Sequence, residues 1–341
     1  MPQISTSLKY HYDEELFNNK WASEKDPTTL ALLESGAMVE DATIAGMIAN
    51  GGNYFTIPFY KDLTGEEQNY DGATNIVSTD TEDGVQSGVV YGRDKGFKNT
   101  IFVNDFTKAD PMSNIIARIN KFFGKKKQKR LIAITEAILG LTSTEFPEWA
   151  NHKTNIAVAT AVTPTVENKM GLTTLRDSAT KAVGDNVDIF RLAIMHSKVA
   201  NDLSQFNVLE YFKLNDTRGQ ELDVKVARSG NMFIIVTDEV PAITNVTSKQ
   251  IEYTTYLFGL GAILTAKAPV ERPSDLVYDA KLNGGTEELI TRYRETIHPN
   301  GFTFAMTTLP ISPTDEQLGA KENWKLVMNP KNIAIAKIVT N

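Results

Sequence analysis

The sequence predicts an α+β fold, and three observations carry that prediction. Residues Asp110 to Gly140 read as one long helix, with Asp110 suited to the cap, Pro111 to the first turn and Gly140 to the close. Ahead of it, residues 50 to 104 form a glycine-rich, strand-like excursion. Behind it, strand signals and helix signals alternate irregularly and not as βαβ repeats, which excludes a simple doubly wound sheet.

The elements follow in chain order. Residues 1 to about 35 are polar, with an acidic cluster at Asp13, Glu14 and Glu15; Trp21, Leu30, Leu32 and Leu33 are the obvious anchors. This stretch reads as an extended arm with a short helix and no core of its own. Tyr54-Phe55-Thr56-Ile57-Pro58-Phe59 is strand-like and ends in a proline suited to an edge. Gly88 to Tyr91 and Thr100 to Val103 supply further strand pieces. Residues 52 to 104 together resemble a long two-stranded hairpin with a polar tip, marginal in water unless a surface supports it.

In the long helix, Ile115, Ile119, Phe122, Phe123, Leu131, Ile134, Ile138 and Leu139 make an apolar stripe at spacings of three and four. At ~1.5 Å per residue it runs roughly 40 Å, long enough to organise a large unit. Asn155 to Val162 alternates like a strand, and Thr173 to Val183 reads as a helix closed by Gly184. Asp188 to Met195 reads as a buried strand, with Ser197 as cap of a helix through Phe206. Strands are expected at Glu221 to Ala227, Asn231 to Thr237 and Ile251 to Ala266, the last bending at Gly259 or Gly261. After a polar insertion from Pro269 to Gly285, shorter strands are expected at Ile290 to Ile297, Gly301 to Thr308, Lys325 to Met328 and Asn332 to Val339. His298, before Pro299, reads as a turn.

Composition narrows the function. The 341 residues are 41% hydrophobic and 23% charged, ordinary for a globular chain. A net charge of −7 argues against a dedicated nucleic-acid binder. The absence of cysteine excludes disulfides, thiolate nucleophiles and cysteine metal sites. No charged-then-apolar leader follows Met1, and no apolar run nears the ~20 residues that span a bilayer, so synthesis in a cytosol and no membrane partner are expected.

No motif foreshadows catalysis or a cofactor. Gly259-Leu-Gly261 imitates a dinucleotide fingerprint but lacks the third glycine and a following helix, so the bland reading is a strand bend. His11, His152, His196 and His298 show no zinc-ligand spacing. His196-Ser197 places a base beside a hydroxyl, but without a nucleophile elbow, and reads better as a strand end and a helix cap. The basic run Lys121, Lys125, Lys126, Lys127, Lys129 and Arg130 has three readings: nucleic-acid contact, a solvated helix face, or pairing with the acidic arm of another subunit.

Several segments together point to a family. Phe55-Thr-Ile-Pro58-Phe59-Tyr-Lys61-Asp62-Leu63-Thr64-Gly65 resembles the start of the extended loop in tailed-bacteriophage major capsid proteins. Asp105, then Asp110-Pro111-Met112 and the long helix, is similar to that family's junction into its spine helix. Ala193-Ile-Met-His196-Ser197-Lys-Val199, Asp238-Glu239-Val240-Pro241, and Tyr253-Thr-Thr-Tyr256-Leu-Phe258-Gly259 with Gly261-Ala262-Ile263 match family segments in the same order.

The resemblance implies the Hong Kong 97-type capsid fold. Its parts here would be an N-terminal arm at 1–49, an extended loop at 50–104, a peripheral domain at 105–210 with spine helix 110–140, an axial domain at 211–300, and C-terminal strands returning to the peripheral domain at 301–341. It implies a structural protein, not an enzyme, with no cofactor or metal, which self-assembles into hexamers and pentamers of an icosahedral head around double-stranded DNA. The implied partners are further copies of the chain, a separate scaffolding protein, a portal and decoration proteins.

Tyr54, Phe55, Pro58, Phe59 and Lys61 would lie between subunits. Serine at Tyr54, Phe55 and Phe59 should then impair assembly more than folding. Some members carry a scaffolding segment before the arm; here Met1 opens almost directly on it, hence the expectation of a separate scaffold or none. Some cross-link a loop lysine, but nothing near Lys61 marks a catalytic carboxylate for that reaction. An encapsulin-like nanocompartment shell is the alternative of similar fold, and a soluble α+β enzyme the alternative of another class.

Overall fold

The computed structural model describes residues 32–33, 35–61, 63, 65–71, 75–100, 111–160, 162–171, 173–205, 210–212, 226–229 and 232–341. The acidic arm cluster and the Asp105–Asp110 junction lie outside them, as do the side chains of residues 111–117.

A short strand, β1 (Met38–Glu40), leads into helix α1 (Ala42–Ile48). The Asp41 side chain caps α1 by accepting from the amides of Thr43 and Ile44. Strand β2 (Tyr54–Tyr60) pairs antiparallel with β3 (Asp83–Val89), and β4 (Tyr91–Thr100) follows almost at once. The excursion is therefore not one hairpin. Only Asn53 to Val90 closes on itself, and β4 leaves to join a larger sheet. The reason is burial: Val89, Val90 and Tyr91 are all in the core, which a solvated hairpin with alternating faces could not accommodate.

The long helix, α2 (Pro111–Leu139), has 29 residues, about 43 Å. Gly140 ends it, its amide bonding back to Glu136 and Ala137. Strand β5 (Lys153–Asn155) ends at the residue where the expected strand Asn155 to Val162 was to begin, because the Asn155 side chain accepts from the Ala157 amide and turns the chain. Helix α3 (Thr174–Val183) ends at Gly184 in a left-handed conformation, φ 73°. Strand β6 (Phe190–Met195) precedes helix α4 (Ser197–Ser204). The cap of α4 is His196, not Ser197: its Nδ1 accepts from the Lys198 amide.

Strands β7 (Glu210–Phe212), β8 (Val226–Ser229), β9 (Met232–Val236), β10 (Ala242–Thr244) and β11 (Ile251–Gly259) come next. At Gly259 to Ala262 the chain turns, with Gly261 at φ 64°, and enters β12 (Ile263–Ala268). The glycine pair is the bend by which the chain changes sheets. Strand β13 (Ser274–Asp279) lies inside what read as a polar insertion, and pairs with β14 (Thr286–Pro299). His298 sits in β14, buried; the turn comes at Gly301, φ 90°. Strand β15 (Phe302–Phe304), helix α5 (Asp315–Leu318), β16 (Trp324–Leu326) and β17 (Ile335–Thr340) complete the chain.

Two large sheets result among the described residues. One is five-stranded: β1, β12, β14 and β13 in order, with β4 also on β14. The other is eight-stranded, ordered β5-β17-β11-β6-β9-β8-β7, with β10 on β11. The sheets do not follow the sequence boundaries at 210 and 300. Residues 190–195, 232–236, 242–244, 251–259 and 335–340 share the eight-stranded sheet, whereas β12, β13 and β14, within 263–299, form the five-stranded sheet, to which β4 is joined through β14. Hydrogen-bond partners come from distant segments, and no local pattern reveals that.

Alternation along β6 explains how the layers stack. Leu192 and Ile194 face one cluster with Leu131, Ile134 and Ile138 of α2; Ala193 and Met195 face another with α3 and α4. A strand buried on both faces reads as the continuous apolar run seen here. The α2 cluster extends to Tyr91, Ile263 and Ile297 of the five-stranded sheet, so the long helix is packed against both sheets.

Candidate assembly interface

The hairpin β2–β3 is fastened at its base, and its described residues from Lys61 to Asp83 are exposed. Phe55 pairs with Gly88 and Phe59 with Gly84 across the hairpin, and each ring lies where a Cβ on its glycine would stand. An aromatic ring thus covers each strand glycine. Phe55 is buried with Ile44, Ile48, Val90, Ala266 and Ala268, edge-on to His298 at 5.4 Å. The Tyr54 hydroxyl donates to the Pro310 carbonyl at 2.9 Å. The Gln86 side chain accepts from the Gly301 amide, and the Ser87 amide donates to Thr303 Oγ1. These bonds hold β3 against β15.

Farther out, Pro58, Tyr60 and Lys61 are exposed and Phe59 is half-buried. Lys61 Nζ donates to Glu82 across the hairpin at 2.9 Å, and that hydrogen bond raises the pKa of the lysine, keeping it charged. The five loop residues singled out from sequence therefore divide. Tyr54 and Phe55 anchor the hairpin to its own subunit; Pro58, Phe59 and Lys61 belong to the projecting part.

This division changes the mutational expectation. Phe55→Ser should destabilise the isolated subunit by about 3–5 kcal/mol, as for a buried aromatic. Phe59→Ser should cost about 1 kcal/mol, the worth of a cross-strand contact. Urea unfolding of unassembled subunits distinguishes the two. Equal losses would show that the whole hairpin belongs to the subunit core.

The basic run on α2 also divides. Lys121, Lys125, Lys126 and Lys129 are exposed, whereas Arg130 is buried and Lys127 half-buried. Lys127 Nζ donates to Glu295 at 2.8 Å. Arg130 donates to both Asp315 oxygens, at 2.7 and 3.3 Å, and lies over the Tyr91 ring at 4.4 Å. The Tyr91 hydroxyl donates to Glu295 at 2.7 Å, and Arg93 donates to Asp315 at 2.6 Å. Burial works to raise the Glu295 pKa, but Lys127 and Tyr91 outweigh it and hold the carboxyl below its usual range. Burial also opposes ionisation of Asp315, yet hydrogen bonds from Arg130 and Arg93 bring it down to about 2.

Farther along α2, Glu136 accepts from Lys337 of β17 at 2.8 Å and from the Tyr256 hydroxyl of β11. About two and a half turns of helix, from Lys127 to Glu136, thus separate the ties to the two sheets. Sequence reading missed Tyr91, Glu295, Asp315 and Glu136. Their partners lie tens to hundreds of positions away, and an isolated carboxylate carries no mark of them.

His196 Nδ1 is occupied by the Lys198 amide and stands 3.5 Å from Ser197 Oγ, so the pair is a helix cap and not a base beside its nucleophile. Among the described residues no group of carboxylates and histidines is placed to hold a metal ion. No described helix is long and apolar enough to cross a membrane.

Comparison with known proteins completes the picture. A family model described as Gp13-like, major capsid protein 13-like, matches residues 147–334, more than half of the chain. Over 326 residues the chain is 24% identical to the major capsid protein of Bacillus phage SPP1, covering 95% of this chain and 94% of that one. The fold is shared with the capsid of Ralstonia phage GP4, at TM-score 0.55, 10% identity and coverage of 89% and 86%. It is shared too with the Cyanophage Pam1 capsid asymmetric unit, at TM-score 0.54, 11% identity and 85% coverage of each chain. A hairpin fastened at its base, a long helix tied to two sheets and these matches agree: the chain belongs to the Gp13-like family of phage major capsid proteins.

Proposed function

We propose that this major capsid protein closes an icosahedral head as hexamers and pentamers around double-stranded DNA, with the hairpin of each subunit lying over a neighbour. The observation that carries this reading is the hairpin itself. Its base is bonded into the subunit through Tyr54, Phe55, Gln86 and Ser87, whereas Tyr60, Leu63, Tyr70, Ile76 and Val77 stand in solvent, Tyr70 at 97% exposure. Apolar side chains held out on a supported arm are what a contact between copies would cover. Many such modest contacts, closed by symmetry, make a stable shell without one strong interface.

In this reading residues 1–49 are the arm and 50–104 the extended loop, with β4 its return into the peripheral sheet. The five-stranded sheet and α2 form the peripheral part, and the eight-stranded sheet with α3 and α4 the axial part. Pro58, Phe59 and Lys61 meet the neighbour. The role is structural and not enzymatic, the site of action is the virion after synthesis in a host cytoplasm, and scaffolding, portal and decoration proteins are the further partner classes. DNA is held by proximity, without sequence recognition.

Negative-stain microscopy of the purified full chain at micromolar concentration tests this. Shells or rings of hexamers and pentamers are expected. A chain that stays monomeric across salt and concentration would overturn the reading.

A further inference from the structure

The base of the hairpin rests on one stretch of chain, and that stretch is tied at its far end to the long helix. Gly301 and Thr303, at the start of the stretch, bond Gln86 and Ser87 of β3. Past β15, residues 305–314 run without helix or strand and then enter α5. Along this strap the Pro310 carbonyl accepts from the Tyr54 hydroxyl at 2.9 Å, and Ser312 Oγ accepts from the Gly92 amide at 3.0 Å. The Pro313 carbonyl accepts from Arg93 at 2.8 Å. Tyr54, where the chain enters the hairpin, and Gly92 and Arg93, just after it leaves, are thus bonded to three residues within 310–313.

Two features stiffen the strap. Pro310 and Pro313 hold their own φ angles fixed. At its end Thr314 and Gln317 form a capping box that sets the first turn of α5. Asp315 lies in that turn, and its carboxylate accepts from Arg93 of β4 and from Arg130 of α2. The Arg130 side chain is 3% exposed, so the subunit interior fixes the helix end of this tie. The Glu295 cluster also ties α2 to β4, but its partners are Lys127, Arg130 and Tyr91, none of which lies on the strap. The two ties therefore have separable effects.

We propose that Asp315 is a positioning residue for the hairpin: acting through the strap, it sets the angle at which β2 and β3 leave the subunit relative to the long helix. The positioning is a property of the single subunit. Only its consequence for assembly rests on the shell reading above, since a hairpin already held at one angle loses less freedom when it meets another copy.

A distance measurement in the unassembled full-length subunit tests this. The chain has no cysteine, so spin labels at Thr81→Cys in the hairpin and Lys129→Cys on α2, both exposed positions, report a single distance by double electron–electron resonance. The parent should give a narrow distribution. Asp315→Ala, and separately Tyr54→Phe with Ser312→Ala, should each widen it about twofold. Asp315→Glu should keep it narrow, and Glu295→Gln should lower the urea midpoint without widening it. A parent distribution already as wide as the variants', an unchanged width for Asp315→Ala, or equal widening by Glu295→Gln overturns the proposal. If Asp315→Ala does not fold, the Tyr54→Phe, Ser312→Ala pair, which removes two hydroxyls, decides instead: a distribution as narrow as the parent's overturns it. Without the labels, the widened variants should need about tenfold more protein to assemble. A wild-type chain that forms no shell while folded overturns the shell reading and leaves the distance result to stand or fall alone.

Discussion

Glu295→Ala is expected to cost the unassembled subunit about 3–5 kcal/mol, the usual penalty for removing one partner of a buried ion pair. The Glu295 side chain is 7% exposed, and its carboxylate accepts from Lys127 and Tyr91 with Arg130 at 3.9 Å. Truncation leaves the Lys127 ammonium and the Tyr91 hydroxyl without that acceptor inside the protein. Glu295→Gln should lose less, because the amide oxygen still accepts from Tyr91. Urea unfolding of the unassembled subunit measures both, with an unchanged m-value showing that the fold is otherwise kept. A loss below about 1 kcal/mol for the alanine variant would mean that solvent reaches the cluster.

The second large effect concerns acid. His298 is 1% exposed, packed against Phe55 and Trp324, and neither ring nitrogen has a hydrogen-bond partner among the described residues. Burial pushes its pKa down to about 4. The unfolded chain therefore binds a proton near pH 6.5 that the folded chain refuses until about 4, so stability falls as pH drops through that window. The shift corresponds to about 3 kcal/mol in total.

His298→Leu should remove this loss, and at neutral pH it should be neutral or stabilising, since it removes two unpaired polar atoms. Thermal unfolding of both proteins from pH 7 to 4 checks it, and parallel curves would refute it. A residual slope from His152 is expected, whose pKa burial also lowers. Asp315 acts in a lower window. Its depressed pKa contributes stability above the usual carboxylate range, and that contribution fades as pH falls toward 2.

Because His298 touches Phe55, the same protonation loads the joint from which the hairpin springs. The acid sensitivity of the subunit is thus expected to appear first at the hairpin base. Hydrogen exchange at Val89 and Val90, compared between pH 7 and pH 5, reads this directly.

Periodicity made much of the fold legible. The α2 stripe of Leu131, Ile134 and Ile138, the α3 helix closed by Gly184, the buried run of β6 and the bend at Gly259 to Gly261 all follow from patterns a few residues long. Two errors show what periodicity leaves out. Asn155 to Val162 alternates like a strand, yet a single side-chain bond from Asn155 ends it. His298 before a proline looks like a turn, yet it is the end of a fourteen-residue strand held by β12. The first was decided by a side chain–backbone bond spanning two residues, which alternation alone does not register, and the second by a strand pairing far outside the local window.

The sequence by itself determined the class of the protein. It marked the long helix closed by Gly140, the glycine-rich excursion ahead of it, and the ordered segments similar to phage capsid proteins. Only the tertiary structure decided which residues hold the subunit together and which are left over for neighbours. Phe55 and Phe59 are the same residue type four positions apart on one strand, but Phe55 is buried at the hairpin base while Phe59 rides out on the arm. Lys127 and Lys129 are likewise indistinguishable in sequence, and one is bound to Glu295 while the other faces solvent. Burial and pairing depend on which distant segments arrive beside a side chain, and that is a property of the folded chain.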